Sequence, residues 1–221
     1  MKSSSTRKTA LILVDVQNGF LHPTFWGDSR STPECEYNIE KLLQSARNHS
    51  KGLPETRSDK SVLICHVHHH SIQPDSELHP EKQIEVNGKV LLATDPQSFS
   101  SPVSGESVWV KNVNSGFIGT GLEAFLRENG VRQLIICGLT TDHCVSTTTR
   151  MASNLKIVDI VNDNGEVLEV GDIVLVGDAC ATYAKGGFDA ETVHRVNLAS
   201  LDEEFAQVAS TDDVIEKVLK T

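Results

Sequence analysis

Five short runs of apolar, largely β-branched residues recur along the chain, and each is too uniformly apolar to be a half-exposed strand. This pattern is typical of strands covered on both faces, and such strands belong mostly to parallel sheets. The runs therefore predict five buried parallel strands, at residues 10–14, 62–67, 108–110, 134–137 and 173–176.

Segments with helical periodicity lie between these runs, and each ends at a pair that contains glycine: Lys51-Gly52 and Asn129-Gly130. The apolar positions at helical spacing are Ile39, Leu42, Leu43 and Ala46, and then Leu122, Phe125 and Leu126. Alternating strands and helices form βαβ units, which place helices on both faces of one sheet. The sequence predicts a single domain over residues 1–221, a three-layer α/β/α, Rossmann-like fold with a central, mostly parallel sheet. Residues 1–8 are expected to be flexible.

Charge and cysteine content exclude several classes of function. The chain of 221 residues has a net charge of −10, and such a surface repels nucleic acid and anionic lipid. No apolar run approaches the roughly 20 residues of a membrane helix, and the opening lacks the apolar region of a signal peptide. Five cysteines without a C-x-x-C pair indicate free thiols. We expect a cytoplasmic protein that binds neither nucleic acid nor membrane.

Two segments interrupt the alternation of strands and helices. Residues 70–105 are rich in Ser, Pro and His, and we expect this cover segment to lie over a functional site. Residues 156–172 contain the Asn-Asp-Asn-Gly run at 162–165, which predicts a hairpin tip on the edge of the sheet.

Three polar side chains stand at or just after strand ends, where active sites of open α/β sheets lie. Asp15 ends the first strand, Lys111 ends the third, and Cys144 follows the fourth. Each alone has an ordinary structural explanation. Together, a base, a cation and a thiol are what nucleophilic catalysis by cysteine requires. Cys144 is also expected to begin a helix over residues 144–154, where the helix dipole favours a thiolate.

Three segments resemble the signatures of the isochorismatase-like cysteine hydrolases, which include nicotinamidases, N-carbamoylsarcosine amidases and biuret and ureidoacrylate hydrolases. They are DVQNGF, WVKNVNSGFIGTGLEAFL and GLTTDHCVSTTTRMA, within a resemblance over residues 9–201. The resemblance implies that Asp15, Lys111 and Cys144 form a catalytic triad and that a small amide or carbamoyl compound is cleaved through a thioester. It also implies a homo-oligomer, a dimer or tetramer. The chain departs from the family motif at Gly19, where an acidic residue is usual.

An oxyanion hole is also implied by the resemblance, with the backbone N–H groups of Thr140 and Cys144 as donors. In the family a cis peptide bond aims the first donor, so we predict a cis bond between Leu139 and Thr140. Five side chains near the motifs are candidates for substrate binding: Phe20, Trp26, Asn114, Phe117 and His143.

Histidines cluster at the end of the second predicted strand, at His66, His68, His69 and His70, with His79 following. Nicotinamidases bind a metal near this point through an Asp-x-His pair, but the sequence here reads CHVHHHSIQPDSELHP and lacks the Asp. We therefore expect no metal and no cofactor, and a polar, substrate-facing or structural role for the cluster.

Three alternatives to amide hydrolysis remain open. Isochorismate hydrolysis uses the shared Asp, although Cys144 favours cleavage of a C–N bond. A ligand-binding module without activity and a thiol sensor that oxidises Cys144 are the others. Dinucleotide binding is disfavoured, because no G-x-G-x-x-G follows the first strand.

Overall fold

The computed structural model describes residues 1–27, 29–54, 56 and 61–220. Its centre is a six-stranded, wholly parallel sheet in the order β6-β5-β4-β1-β2-β3. The strands are β1 (Thr9–Val14), β2 (Leu63–His69), β3 (Ser107–Lys111), β4 (Gln133–Leu139), β5 (Asp172–Ala181) and β6 (Gln207–Ala209). The five predicted strands are confirmed as β1 to β5, but β3 is not buried on both faces: it is an edge strand of the sheet, and its Val108 and Val110 are 47% and 49% exposed.

Helices cover both faces of this sheet, so the predicted α/β/α layering is confirmed. Leu11 and Leu13 of β1 pack on one face with α1 (Cys35–Gly52), while Ile12 packs on the opposite face with α2 (Leu122–Glu128) and α3 (Ser146–Asn154). Helix α4 (Ala190–Leu201) lies on the α3 side, and α5 (Thr211–Val214) lies on the α1 side. Because both faces of β1 are buried, its residues from Ala10 to Val14 are all apolar.

The helix expected from Cys144 begins two residues later. Residues Thr141–Val145 form a single wider turn, in which the Val145 N–H donates to the Thr140 carbonyl at 3.2 Å, five residues back. Helix α3 follows from Ser146. Cys144 therefore lies within a π-type turn that precedes the α-helix, a feature often found at functional sites.

The predicted hairpin forms, but it lies outside the central sheet. Ile160–Val161 pairs with Val167–Glu169, and the turn between them closes through a Gly165 N–H donating to the Asn162 carbonyl at 2.9 Å. These strands are exposed and form a sheet of their own. The prediction that this hairpin lies on the edge of the central sheet was wrong, because β6 occupies the place beside β5.

The remaining segments pack against the sheet. Ser4 is buried and its hydroxyl donates to the Val218 carbonyl at 2.7 Å, so part of the first eight residues contacts the fold, and their flexibility stays a prediction. The cover segment contains a second hairpin, Gln83–Val86 with Lys89–Leu92. Among the described residues, no helix combines the length and apolar character needed to cross a membrane.

Candidate active site

Asp15 and Lys111 lie at the same edge of the sheet, at the ends of β1 and β3, which flank β2. Asp15 follows β1 with a φ of 53°, a left-handed conformation that Asp tolerates better than most residues, and its N–H donates to the Val67 carbonyl at 2.8 Å. Lys111 is the last residue of β3 and pairs in register with His69 at the end of β2. Both charged side chains are fully buried.

The Lys111 ammonium lies between three polar side chains. Its Nζ is 2.7 Å from Oδ2 of Asp15, 3.0 Å from Nδ1 of His69 and 3.4 Å from the sulfur of Cys144. The other carboxylate oxygen of Asp15, Oδ1, is buried and accepts no hydrogen bond from the described residues. The structure thus brings together the three residues of the predicted triad and leaves one carboxylate oxygen free to accept a proton.

Cys144 carries a protonated thiol at neutral pH. Burial and then the charge of Asp15 raise its pKa, and the Lys111 ammonium offsets this only in part. The expectation of a resting thiolate is therefore not met, because loss of hydration outweighs the nearby cation and the helix end. The sulfur can attack only after its proton leaves, which makes a neighbouring base necessary.

The turn that carries Cys144 is fixed by contacts with distant parts of the chain. The Thr141 hydroxyl lies 2.8 Å from Nδ1 of His194 in α4, and both residues are buried. Asp142 accepts hydrogen bonds from Thr182 and Lys185 at 2.5 Å each. Burial opposes ionisation of Asp142, but these two donors outweigh it and lower its pKa.

The peptide bond between Leu139 and Thr140 is cis, as predicted. Thr140 lines the same cavity as Cys144. The donation of two N–H groups to one oxyanion remains a prediction.

A cavity of about 150 Å³ opens above the sulfur. Of the five predicted binding residues, four line it and Phe117 does not: Phe117 is buried in the apolar core with α2 and α3. His69, from the histidine cluster for which a substrate-facing role was one expectation, also lines the cavity, and two lining residues of the cover segment, Ser76 and Leu78, were missed. The complete lining is Phe20, Trp26, His69, Ser76, Leu78, Asn114, Thr140, His143 and Cys144.

Aromatic rings form one wall of this cavity. The rings of Phe20 and Trp26 stack with centroids 4.5 Å apart, and the Trp26 indole N–H donates to the Gly19 carbonyl at 2.8 Å. The Tyr183 hydroxyl donates to the Phe20 carbonyl at 2.9 Å. Since the Trp26 ring is held by a hydrogen bond to backbone, the Phe20 backbone accepts one from Tyr183, and the two rings stack, the wall is preformed.

The histidine cluster divides into separate roles. His66 pairs with Glu106 at 2.8 Å, and Arg47 binds the same carboxylate through two hydrogen bonds, so this group ties α1 and β2 to the start of β3. His68 is buried, and burial lowers its pKa to about 4. His69 alone lines the cavity; burial first, and then the Lys111 ammonium, lower its pKa. Its place at a strand end, like that of Lys111, is the signal that could have identified it.

The residues around Cys144 do not fit a metal. Asp15, His69 and Cys144 each offer a ligand atom within 4.8 Å of the others. The Lys111 ammonium, however, contacts all three of these side chains and so occupies the position that a metal would take. A metal here would have to displace a buried cation from its own ligands.

Comparison with known proteins gives the family. A family model described as "Isochorismatase domain" matches residues 9–213. The isochorismatase-family protein YrdC of Bacillus subtilis is 35% identical, over 97% of this chain and 98% of its own length. The ureidoacrylate amidohydrolase RutB of Acinetobacter baylyi is 28% identical, over 94% of this chain and 82% of its own.

A solved structure agrees with these matches. A protein from Chromobacterium violaceum, assigned to the isochorismatase family of hydrolases, superposes with a TM-score of 0.74 at 32% identity, covering 95% of this chain and 93% of that one. The chain belongs to the isochorismatase family. It is a hydrolase.

Proposed function

We propose that this hydrolase cleaves a C–N bond in a small amide or carbamoyl compound through a thioester on Cys144. One observation carries the proposal: the buried Lys111 ammonium contacts both the Asp15 carboxylate and the sulfur of Cys144, and Cys144 lines the cavity. This arrangement holds a base and a nucleophile beside one substrate-sized space. The relative RutB, named as an amidohydrolase, supports the same type of reaction.

Acylation begins with loss of the thiol proton. Oδ1 of Asp15 takes that proton as the sulfur attacks the carbonyl carbon, and the Lys111 ammonium stabilises the negative charge that the sulfur carries. The carbonyl oxygen becomes an oxyanion, to which the N–H groups of Thr140 and Cys144 donate. The C–N bond then breaks, and the proton held by Asp15 passes to the leaving nitrogen, which departs as ammonia or an amine.

Deacylation reverses these roles. Asp15, again ionised, takes a proton from a water molecule that attacks the thioester carbon. The C–S bond breaks, the acid is released, and the proton on Asp15 returns to the sulfur. Lys111 stays charged throughout, so one buried cation serves both halves of the reaction.

The size of the cavity disfavours isochorismate as substrate. A space of about 150 Å³ is comparable to one that holds a single benzene molecule, whereas isochorismate is a ring with two carboxylates and an enolpyruvyl arm. A thiol sensor would need a low pKa, and the pKa of Cys144 is raised. The expected homo-oligomer and cytoplasmic location stay predictions, which light scattering of the purified protein and cell fractionation would test.

Ammonia release from a panel of small amides and ureas tests the proposed reaction. We expect Cys144→Ala to abolish release while its melting temperature stays close to that of the wild type, because the substitution removes only one atom, which borders the cavity. Cys137→Ala is the matched control, since Cys137 is fully buried away from the cavity and should leave turnover in place. Full turnover in Cys144→Ala would overturn the proposal.

A further inference from the structure

Gly19 lies where the chain after β1 touches the cover segment. A Cβ atom added at Gly19 would be 2.6 Å from the Glu77 carbonyl oxygen, 2.9 Å from Cδ2 of Leu78 and 3.2 Å from the Ala93 carbonyl oxygen. Cβ atoms essentially never come within 3.0 Å of another heavy atom, so the first two of these distances are too short. The backbone at Gly19 does not have a positive φ. Space alone therefore requires a glycine here.

Backbone hydrogen bonds from Gly19 and from the residue before it hold the cover segment close. The Gly19 N–H donates to the Ala93 carbonyl at 2.7 Å, and the Asn18 N–H donates to the Asp95 carbonyl at 2.9 Å. The buried Gln17 side chain donates to the Thr94 carbonyl at 2.8 Å. The cover segment is thus attached to the loop that follows Asp15, with its 77–78 backbone against Gly19.

The same approach forms one wall of the cavity. Leu78 is 4% exposed and lines the space above Cys144 together with Ser76. The stacked rings of Phe20 and Trp26 line the same cavity and pack in the same apolar cluster as Leu78, and the Trp26 indole N–H donates to the Gly19 carbonyl. The space that these side chains leave is only about 150 Å³.

We propose that Gly19 and Leu78 together determine substrate size: the absent side chain at Gly19 lets the cover segment close, and Leu78 then restricts the cavity to a group of about six non-hydrogen atoms. The limit on substrate size rests on the proposed function, whereas the limit on which reagents can reach Cys144 does not. A side chain at position 19 requires the Glu77 carbonyl and the Leu78 side chain to move away from it, and loss of the Leu78 side chain removes part of the cavity lining.

Two alkylating agents of different size test the restriction without any substrate. Iodoacetamide and N-benzyliodoacetamide react through the same carbon, so the ratio of their rates at Cys144 is independent of how much thiolate is present. Among the five cysteines, all within the described part of the chain, Cys144 is 9% exposed and the others are 0% exposed. Mass spectrometry of the peptide that contains Cys144 gives both rates.

We expect the wild type to react with N-benzyliodoacetamide far more slowly than with iodoacetamide. In Leu78→Ala the ratio should move toward the bulky reagent by about tenfold or more, the range typical for pocket contacts. Gly19→Ala should move it in the same direction. Gly52→Ala is the control for a glycine replacement, because nothing lies within 4 Å of a Cβ at Gly52. Leu126→Ala is the control for loss of a fully buried leucine in the opposite core cluster.

The outcomes separate this inference from the proposed reaction. A ratio in Leu78→Ala within about twofold of the wild type overturns the size restriction, whatever Gly19→Ala does, including failure to fold. A shifted ratio with no hydrolysis of any small amide by the wild type supports the restriction and overturns the reaction. A shifted ratio together with hydrolysis of larger amides by Leu78→Ala supports both.

Discussion

The buried ion pair between Asp15 and Lys111 allows a quantitative prediction. At 2.7 Å and an effective dielectric constant of about 20, the Coulomb attraction is about 6 kcal/mol. Removing one partner leaves the other charge buried without compensation, which costs about 3 to 5 kcal/mol. Asp15→Asn and Lys111→Met should each lower the free energy of unfolding by this amount. For a chain of 221 residues that corresponds to roughly 6 to 20 °C in melting temperature.

The double variant separates an ion pair from two independent residues. Asp15→Asn combined with Lys111→Met buries no unpaired charge, so its loss should be smaller than the sum of the single losses by about 2 kcal/mol or more. Urea unfolding, followed by tryptophan fluorescence and circular dichroism, measures all four proteins. The exposed pair of Lys217 and Asp213 is the control, and its coupling should be much smaller because water screens it.

Additive losses in the Asp15 and Lys111 cycle would refute this reasoning. So would an Asp15→Asn variant as stable as the wild type. Either result would mean that water or a relaxed geometry stabilises whichever charge is left without its partner. Lys111 would then not depend on Asp15 as its paired anion.

Three further predictions concern pH and metal. Alkylation of Cys144 by iodoacetamide should still be accelerating above pH 9, and Asp15→Asn should move the rise to lower pH, because burial and then the Asp15 charge raise the pKa of the thiol. Burial lowers the pKa of His68 from 6.5 to about 4, so between these pH values the unfolded chain binds a proton that the folded chain does not. The free energy of unfolding should therefore fall by up to about 3 kcal/mol as pH drops from 6.5 to 4. Urea titrations of His68→Gln should show a smaller fall. Purified protein should contain substoichiometric zinc and iron by elemental analysis and keep its activity in EDTA, because the Lys111 ammonium occupies the position between Asp15, His69 and Cys144. One metal per chain would contradict this prediction.

The sheet was predictable because a strand buried on both faces has an unbroken run of apolar residues in its sequence. Each central strand faces helices on two sides, so Leu11, Ile12 and Leu13 are all apolar, and the pattern identifies a parallel strand without knowledge of its neighbours. Asp15 and Lys111 were predictable for a related reason, since both stand where such strands end.

The start of α3 was not predictable from local pattern. Its preceding turn is set by the contact between Thr141 and His194, which are separated by 53 positions in the chain. No propensity within residues 141–145 records that contact, so periodicity placed the helix start at Cys144. The raised pKa of Cys144 has the same origin, because burial is a property of the whole fold.

The cover segment shows the other limit of sequence reasoning. Ser76 and Leu78 line the cavity from a stretch with no helical or strand periodicity, so nothing in the sequence distinguishes them from their neighbours. Gly19 was visible as a departure from the family motif. Its consequence, contact with the Glu77 carbonyl, depends on a pairing between distant segments.

Trapping of the acyl-enzyme tests directly whether the reaction passes through a thioester on Cys144. Wild-type protein mixed with a small amide that it hydrolyses, quenched in acid within one turnover and digested, should yield the Cys144 peptide with the mass of the acyl group added, and hydroxylamine should remove that mass. Asp15→Asn should yield no adduct, because no carboxylate then takes the thiol proton during attack and passes it to the leaving nitrogen. Continued hydrolysis without any adduct on Cys144, or an adduct that forms equally in Asp15→Asn, would contradict the proposed thioester mechanism.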